Sequence, residues 1–350
     1  MKNIVIVAVV LVALVGVGLM TLLFSEEQPI SPAVDAYPYI EIADPAGFVN
    51  TNGEPVTIEQ YVGEKVILLD IMTYSCINCQ RTFPYITSWY ETYKDDGFVV
   101  IGIHTPEFAF EKDIENVEAA MERFGISYPV VLDNNYGTWR AYGNRYWPRK
   151  YLIDIHGNIV YDHIGEGAYE ETEREIQKLL AERAQVLGDA EFDTDGLIAD
   201  SIAGQRSESQ TPETYFGSLR NEYLGNKLPS QYGVATYTLP DEYELNLMYL
   251  GGSWNIRDEA AVAKNESVVM YRYNAKEVYI VASSDSPASI EVWQDGERVN
   301  VEKGADVNDD GVITVEESRL YKVIDNDEVG EHLLELRVEE DITLYAFTFG

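Results

Sequence analysis

The stretch that decides the fold is TYSCINCQR, residues Thr73–Arg81, which holds the only two cysteines of this 350-residue chain. It follows Lys65–Met72, a mostly apolar run rich in β-forming residues that predicts a buried strand. Large apolar side chains recur at helical spacing after the stretch, which predicts a helix. Cys76 and Cys79 are therefore expected where a strand turns into a helix.

A cysteine pair in this position predicts redox chemistry. Thiols at the start of a helix face backbone N–H groups and the positive end of the helix dipole, which favour the thiolate form. We expect Cys76 to be the exposed nucleophile and Cys79 to be the resolving cysteine one helical turn later.

The pair could instead be a structural disulfide, half of a metal site, or two inert thiols. A disulfide across two intervening residues would stabilise the fold little, because it closes a very short loop. A structural zinc site needs four ligands, and the chain has no second cysteine pair and only four scattered histidines. Thiol–disulfide exchange is the favoured interpretation.

Several motifs resemble those of a known family. Asp70 lies six residues before Cys76, where thioredoxins carry a buried acid. The stretches Thr73–Cys79, His104–Phe108 and Tyr146–Pro148 resemble the extracytoplasmic part of DipZ-like proteins. The chain is thus similar, over about residues 37–350, to thioredoxin-like oxidoreductases of the TlpA/DipZ type that carry a C-terminal β-domain.

The resemblance implies roles for individual residues. Pro148 would be the cis-proline beside the cysteines, and the main chain of Trp147 would pair with an extended substrate. Asp70 would relay protons to Cys79, with its pKa raised by desolvation, although it could instead cap a turn at the strand end. Ile77 and Asn78, between the cysteines, would contact substrate and tune the reduction potential. The redox chemistry itself would need no cofactor.

Composition limits the partners. The chain has 25 basic and 60 acidic residues and a formal net charge of −35. No nucleic-acid partner is expected, because phosphate binding needs a basic face. The acidic residues are spread along the chain, which indicates a solvated acidic surface.

The N-terminus predicts a membrane segment. Ile4–Phe24 contains 21 residues without a charge, which is long enough to span a bilayer. Lys2 precedes the run and acids follow it, which places the N-terminus inside and the rest of the chain outside. No clear cleavage motif follows, so we favour a signal anchor over a cleaved signal peptide.

The pattern of segments predicts the domains. Residues 1–30 form the transmembrane anchor and tether. Residues 31–190 alternate strands and helices, which predicts an α/β thioredoxin fold with a central mixed sheet and helices on both faces. Residues 191–212 are rich in acidic and small residues and are assigned as a linker. Residues 213–350 contain about seven short strands, which predicts a β-sandwich or jelly roll. They include Ser267–Tyr273, Glu277–Ser283, Arg319–Ile324 and Glu331–Glu339.

The predicted β-domain also contains an Asp-rich motif. The segment DVNDDGV, followed by Glu317, fits the EF-hand pattern. The calcium ligands would be Asp306, Asn308, Asp310, Val312 through its carbonyl, and Glu317. Strands rather than helices are predicted on both sides, so a plain Asp/Asn/Gly hairpin loop is the alternative to a structural calcium site.

The sequence therefore predicts a membrane-anchored, extracytoplasmic thiol–disulfide oxidoreductase that acts, in the reducing direction, on protein thiols and disulfides. An unidentified electron donor is implied. One alternative is a thiol peroxidase, although the pairing of Cys76 with the nearby Cys79 does not match that class. Another is a carbohydrate- or protein-binding module fused to a redox domain, with Trp254 and Trp293 as candidate aromatic contacts.

Overall fold

The structure is a computed structural model, and it describes residues 37–190, 192, 196–202, 209–228 and 232–350. The predicted membrane segment Ile4–Phe24 lies outside the described residues, as do parts of the predicted linker 191–212. In the part of the chain that is described, no helix is long and apolar enough to cross a membrane. Residues Ala36–Gly350 form one compact unit.

The first half of this unit is built on a seven-stranded sheet. Its strands are β1 (Tyr37–Pro38), β2 (Gly47–Val49), β3 (Val66–Met72), β4 (Phe98–His104), β5 (Val130–Leu132), β6 (Arg149–Ile153) and β7 (Asn158–Ile164). Its helices are α1 (Ile77–Tyr93), α2 (Ile114–Arg123), α3 (Gly137–Ala141) and α4 (Tyr169–Leu187). The strand order is β1-β7-β6-β3-β4-β5-β2.

The sheet is mixed, as predicted. Strand β3 runs parallel to β4 and antiparallel to β6, and all seven of its residues are buried. Because its side chains alternate between faces, Leu68 joins the core with α1, α2 and α4, whereas Leu69 joins the core on the other face with α3. The successive β3-α1-β4 and β4-α2-β5 crossovers put α1 and α2 on the same face. The predicted thioredoxin-like fold is confirmed.

The second half is a large all-β domain. Its strands are β8 (Thr214–Tyr215), β9 (Gly233–Tyr237), β10 (Leu247–Ile256), β11 (Ala261–Ser283), β12 (Ala288–Gln294), β13 (Glu297–Arg298), β14 (Val312–Val315), β15 (Arg319–Val338) and β16 (Thr343–Phe349). They form one nine-stranded hydrogen-bonded network. The fully buried Trp254 lies in its core, so this ring does not provide the exposed contact considered from the sequence.

Strand lengths in this domain differ from the prediction. Two predicted strands, Ser267–Tyr273 and Glu277–Ser283, are parts of the single strand β11, and two others merge in the same way into β15. The register between β11 and β15 shifts next to Glu277. A β-bulge lets a strand bend without losing its partner, so polar residues that resemble a turn in sequence lie inside a continuous strand.

Candidate active site

The cysteine pair lies at the junction that the sequence predicts. Strand β3 ends at Met72, and Cys76 is the N-cap residue of α1. The Cys76 side chain is half-buried and Cys79 is fully buried, and both are free cysteines. The two thiols are in hydrogen-bond contact, and burial, reinforced by Cys76 and Asp70, raises the pKa of the Cys79 thiol. Only Cys76 is therefore placed to meet a substrate, and Cys79 lies behind it.

Asp70 lies fully buried on β3, close to Cys79. Neither oxygen of its carboxyl group has a hydrogen-bond partner among the described residues. Burial raises the pKa of Asp70 to about 7, and the positive charge of Lys150 opposes this rise. A carboxyl group that titrates near neutral pH can both accept and return a proton.

Lys150 is one of two site residues that the sequence analysis missed. It lies directly opposite Asp70 in the antiparallel β3–β6 register and is itself fully buried. Its ammonium group donates a hydrogen bond to the carbonyl of Gly165 at 3.1 Å. Burial lowers the pKa of Lys150, while Asp70 and Cys79 oppose this shift. A lysine in a buried strand two residues after Pro148 was the available signal, but only the strand register shows its partner.

A second buried acid, Glu111, holds the turn that carries the motif. Its carboxylate accepts hydrogen bonds from the hydroxyls of Thr73 at 2.5 Å and Ser75 at 2.6 Å. It also accepts from the backbone N–H groups of Glu107 at 2.6 Å and Phe108 at 2.9 Å. Burial raises the pKa of Glu111, and the two hydroxyl donors oppose this rise. The sequence analysis did not single out this residue, because its donors lie on two separate loops.

Replacing Glu111 by alanine is expected to lower the free energy of unfolding by about 3 kcal/mol, because several buried donors would lose the carboxylate that accepts their hydrogen bonds. Urea unfolding followed by circular dichroism measures the loss. The matched control is Glu118→Ala, at an exposed position of α2, which should change stability by less than about 0.5 kcal/mol. Equal losses of stability in the two variants would contradict the conclusion that Glu111 holds the turn before the cysteines.

The loop before β6 places Trp147 in the cleft that Cys76 also lines. The Trp147–Pro148 peptide bond is cis. The Trp147 indole donates a hydrogen bond to the carbonyl of Thr105 at 3.0 Å, and its ring packs on Trp139 at 4.3 Å between centroids. Among the described residues, the main chain of Trp147 makes no hydrogen bond. It therefore keeps a donor and an acceptor available beside Cys76.

The β-domain covers one side of the motif. Ile77, predicted to contact substrate, is instead buried in an apolar cluster shared by the two domains. Its cluster partners are Phe108, Tyr279, Val281, Leu320 and Ala346. The two residues between the cysteines therefore differ in exposure: Ile77 is buried, whereas Asn78 is half-exposed and lines a cleft. Sequence periodicity cannot reveal this contact, since the cluster joins strands more than 200 residues away.

Polar contacts across the same interface surround the motif. Tyr74 donates a hydrogen bond to the carbonyl of Ser318 at 3.0 Å. Arg81, on α1, forms ion pairs with Glu277 of β11 at 3.5 Å and with Glu166 at 3.4 Å. Residues before and after the cysteines are therefore both held by the β-domain.

The cleft over Cys76 has a volume of about 440 Å³. The thioredoxin-like domain contributes Cys76, Asn78, Arg145 and Trp147, and the β-domain contributes the opposite wall, which includes Glu213 and Tyr215. The redox site of this protein is therefore built by both domains.

The structure does not bring the predicted calcium ligands together. In the described residues no group of three or more His, Cys, Asp or Glu side chains could hold a metal ion. Asp306 pairs with Arg319 at 2.7 Å, the Asn308 side chain accepts hydrogen bonds from the backbone of its own turn, and Glu317 also pairs with Arg319. The calcium prediction is corrected accordingly: cations engage two of the predicted ligands, because Arg319 pairs with Asp306 and both Arg319 and Arg123 pair with Glu317.

Comparisons with known proteins agree with this site. A family model described as redoxin matches residues 32–180, and one described as a thioredoxin-like C-terminal domain matches residues 211–350. The thiol-disulfide oxidoreductase ResA of Halalkalibacterium halodurans is 33% identical over 132 residues, which cover 38% of this chain and 71% of ResA. The chain belongs to the thioredoxin-like thiol–disulfide oxidoreductases.

The similarity to DipZ includes both domains. Protein DipZ of Mycobacterium bovis and of Mycobacterium tuberculosis is 36% identical over 308 residues, which cover 87% of this chain. The chain spans about two fifths of the length of these relatives, 41% of each. A solution structure of a thioredoxin-like protein in the oxidised form is 24% identical, with a TM-score of 0.39, and covers 42% of this chain and 97% of its own.

Proposed function

We propose that the protein is a membrane-anchored, extracytoplasmic thiol–disulfide oxidoreductase that reduces disulfides through Cys76 and Cys79. The observation that carries the proposal is the half-buried Cys76 at the start of α1, in contact with the fully buried Cys79 and backed by Asp70. A thiol that meets solvent, with a second thiol behind it, is what two-step exchange requires.

In the first step the sulfur of Cys76 attacks one sulfur of the substrate disulfide. The substrate S–S bond breaks, the leaving sulfur takes up a proton, and a mixed disulfide remains on Cys76. Asp70 then accepts the proton of Cys79, whose sulfur attacks Cys76 and releases the second substrate thiol. Two electrons and two protons pass to the substrate, and the enzyme dithiol becomes a disulfide. A dithiol protein must reduce this disulfide before the next cycle.

The charges around the pair support the reducing direction. Burial and the Asp70 carboxyl group both disfavour negative charge on Cys79 and raise its pKa. Strongly oxidising pairs have the opposite property, because their reduced form is stabilised. The surroundings of Cys79 therefore do not provide the stabilised thiolate that is typical of oxidising pairs.

The reduction potential of the Cys76–Cys79 couple tests this direction. Equilibration of a chain that starts at residue 31 with glutathione buffers, followed by thiol trapping, gives the value. We expect a potential near that of thioredoxin, roughly −270 mV. A value near about −120 mV would make the protein a disulfide donor instead. A pair that does not cycle would refute the proposed function altogether.

The anchor and the extracytoplasmic location rest on the uncharged run Ile4–Phe24, the single Lys2 before it and the acids after it. Disulfide chemistry is permitted on that side of the membrane. Alkaline washing of membranes from cells that express the full chain tests the anchor, since an anchored chain stays in the pellet and a peripheral one is released.

A further inference from the structure

The walls of the 440 Å³ cleft restrict how a disulfide can reach Cys76. On one side Ile77 is buried against the β-domain, so a partner cannot contact this residue of the dipeptide between the cysteines. Cys76 and Asn78 line the cleft, which also has Trp147 from the thioredoxin-like domain and Tyr215 from the β-domain. Its volume lies within the range of small-molecule sites, which is roughly 300–1,000 Å³.

The β-domain wall carries negative charge. The Tyr215 hydroxyl lies within hydrogen-bond distance of both Glu107, at 2.9 Å, and Glu213, at 2.6 Å. Arg220 pairs with Glu107 at 2.7 Å, and its guanidinium stacks over the Tyr215 ring at 3.7 Å. Arg220 forms its ion pair with Glu107, and its charge also acts on Glu213, but no ion pair of the Glu213 carboxylate is found among the described residues.

The opposite wall carries positive charge. Arg145 lines the cleft from the thioredoxin-like domain, and its side chain is exposed. No ion pair or hydrogen bond of Arg145 is found among the described residues. The described part of the cleft that Cys76 lines therefore contains both a cation without an ion pair, Arg145, and a carboxylate without an ion-pair contact, Glu213. A ligand that bears both an ammonium and a carboxylate group would complement both.

We propose that this cleft takes the disulfide of an amino acid or a very short peptide, with cystine as the simplest member, and that Glu213 and Arg145 select it by its ammonium and carboxylate groups. This inference rests on the proposed function. The reaction is the same exchange: the enzyme dithiol becomes a disulfide, and one cystine becomes two cysteines, with transfer of two electrons and two protons.

A series of small disulfides tests the charge recognition. Cystine carries both groups, cystamine only the ammonium, dithiodipropionate only the carboxylate, and hydroxyethyl disulfide neither. Partial loss of water around the carboxylate, reinforced by Glu107, raises the pKa of Glu213 to about 7. The assays are therefore run at pH 8, where most of the Glu213 carboxyl groups are ionised. Pre-reduced protein is mixed with each disulfide in single turnover, and each rate is divided by the rate of the same disulfide with free dithiothreitol.

The normalised rate should be highest for cystine, about tenfold lower for each singly functional analogue, and lowest for hydroxyethyl disulfide. Glu213→Gln should slow cystine and cystamine about tenfold and leave dithiodipropionate unchanged. Arg145→Gln should slow cystine and dithiodipropionate and leave cystamine unchanged. The matched controls are Glu222→Gln and Arg140→Gln, at exposed positions outside the cleft, which should change none of the rates.

Two macromolecular disulfides complete the test. A native protein with a surface disulfide should react at least about a hundredfold more slowly than cystine, because the β-domain wall blocks its approach. Equal normalised rates for all disulfides, or a faster reaction with the native protein or with a long unfolded chain, would overturn the inference but leave the oxidoreductase function standing. A reduced protein that reacts with none of these disulfides would refute the proposed function itself.

Discussion

Replacing Cys76 by serine is expected to abolish disulfide reduction, with a loss of at least about a thousandfold. A serine hydroxyl stays protonated at neutral pH and cannot replace the thiolate, which is the nucleophile in exchange. Cys79, the only other thiol, is fully buried and cannot take over the attack. Stopped-flow measurement with a chromogenic aromatic disulfide gives the rate.

Cys79→Ser is the matched control, because it removes the other sulfur of the same motif. This variant should still attack the reporter through Cys76 but should stop at a stable one-to-one mixed disulfide, which mass spectrometry detects. The reverse pattern, with attack lost in Cys79→Ser and kept in Cys76→Ser, would exchange the two roles. Consumption of hydrogen peroxide at a rate comparable to disulfide reduction would favour the thiol peroxidase alternative.

Replacing Asp70 by asparagine is expected to stabilise the protein at pH 8 by up to about 4 kcal/mol. The pKa of Asp70 rises from 3.8 to about 7 on folding, mainly because burial removes water from the carboxylate. The folded state therefore holds this proton more tightly than the unfolded chain does. The Asp70 carboxyl group therefore contributes most favourably to the free energy of unfolding below pH 4, and this contribution is lost as the pH rises through 7.

The stability gain of Asp70→Asn should accordingly shrink as the pH falls from 8 and disappear near pH 4, where the native carboxyl group is also neutral. Lys150 faces Asp70, and Cys79 and Tyr128 also interact with its charge, so the three are kept unchanged in the comparison. Urea unfolding at several pH values gives the curve. Asp241→Asn, at an exposed position of the β-domain, should show no gain at any pH. A constant difference between pH 4 and pH 8 would contradict the assignment.

The same variant should slow the resolving step about a hundredfold at pH 8, since the amide cannot accept the proton of Cys79. This step is followed by release of the second substrate thiol from the mixed disulfide. In the native protein its rate should rise as the pH passes through about 7 and Asp70 ionises. If the resolving step of Asp70→Asn kept the pH dependence of the native protein, another group would be the proton acceptor.

The local sequence pattern was sufficient to predict the fold of the first domain, because its main strands and helices are specified by residues that lie close together in the chain. The apolar run before Cys76 and the helical spacing after it predicted β3 and α1 directly. For the β-domain, the sequence predicted the all-β class but not the bounds of the strands. Strand β11 was divided in two, because a bulged segment beside Glu277 carries the same polar residues that a turn would.

The calcium loop shows how a motif can mislead. The spacing of Asp306, Asn308 and Glu317 satisfies the EF-hand pattern, yet the pattern assumes flanking helices that direct the ligands inward. Here β14 lies within the motif and β15 follows it, and Arg319 lies close enough to pair with two of the acids. A one-dimensional pattern contains no information on which cation approaches from a neighbouring strand.

The cysteine pair, its place between strand and helix, and the chemistry that follows are properties of neighbouring residues, and the sequence was enough to establish them. The sequence did not establish what surrounds the pair. Lys150 meets Asp70 through an antiparallel register, Glu111 collects donors from two loops, and the β-domain buries Ile77. Each of these contacts joins residues that are distant along the chain. Only packing, which depends on the whole fold, decides which of them meet.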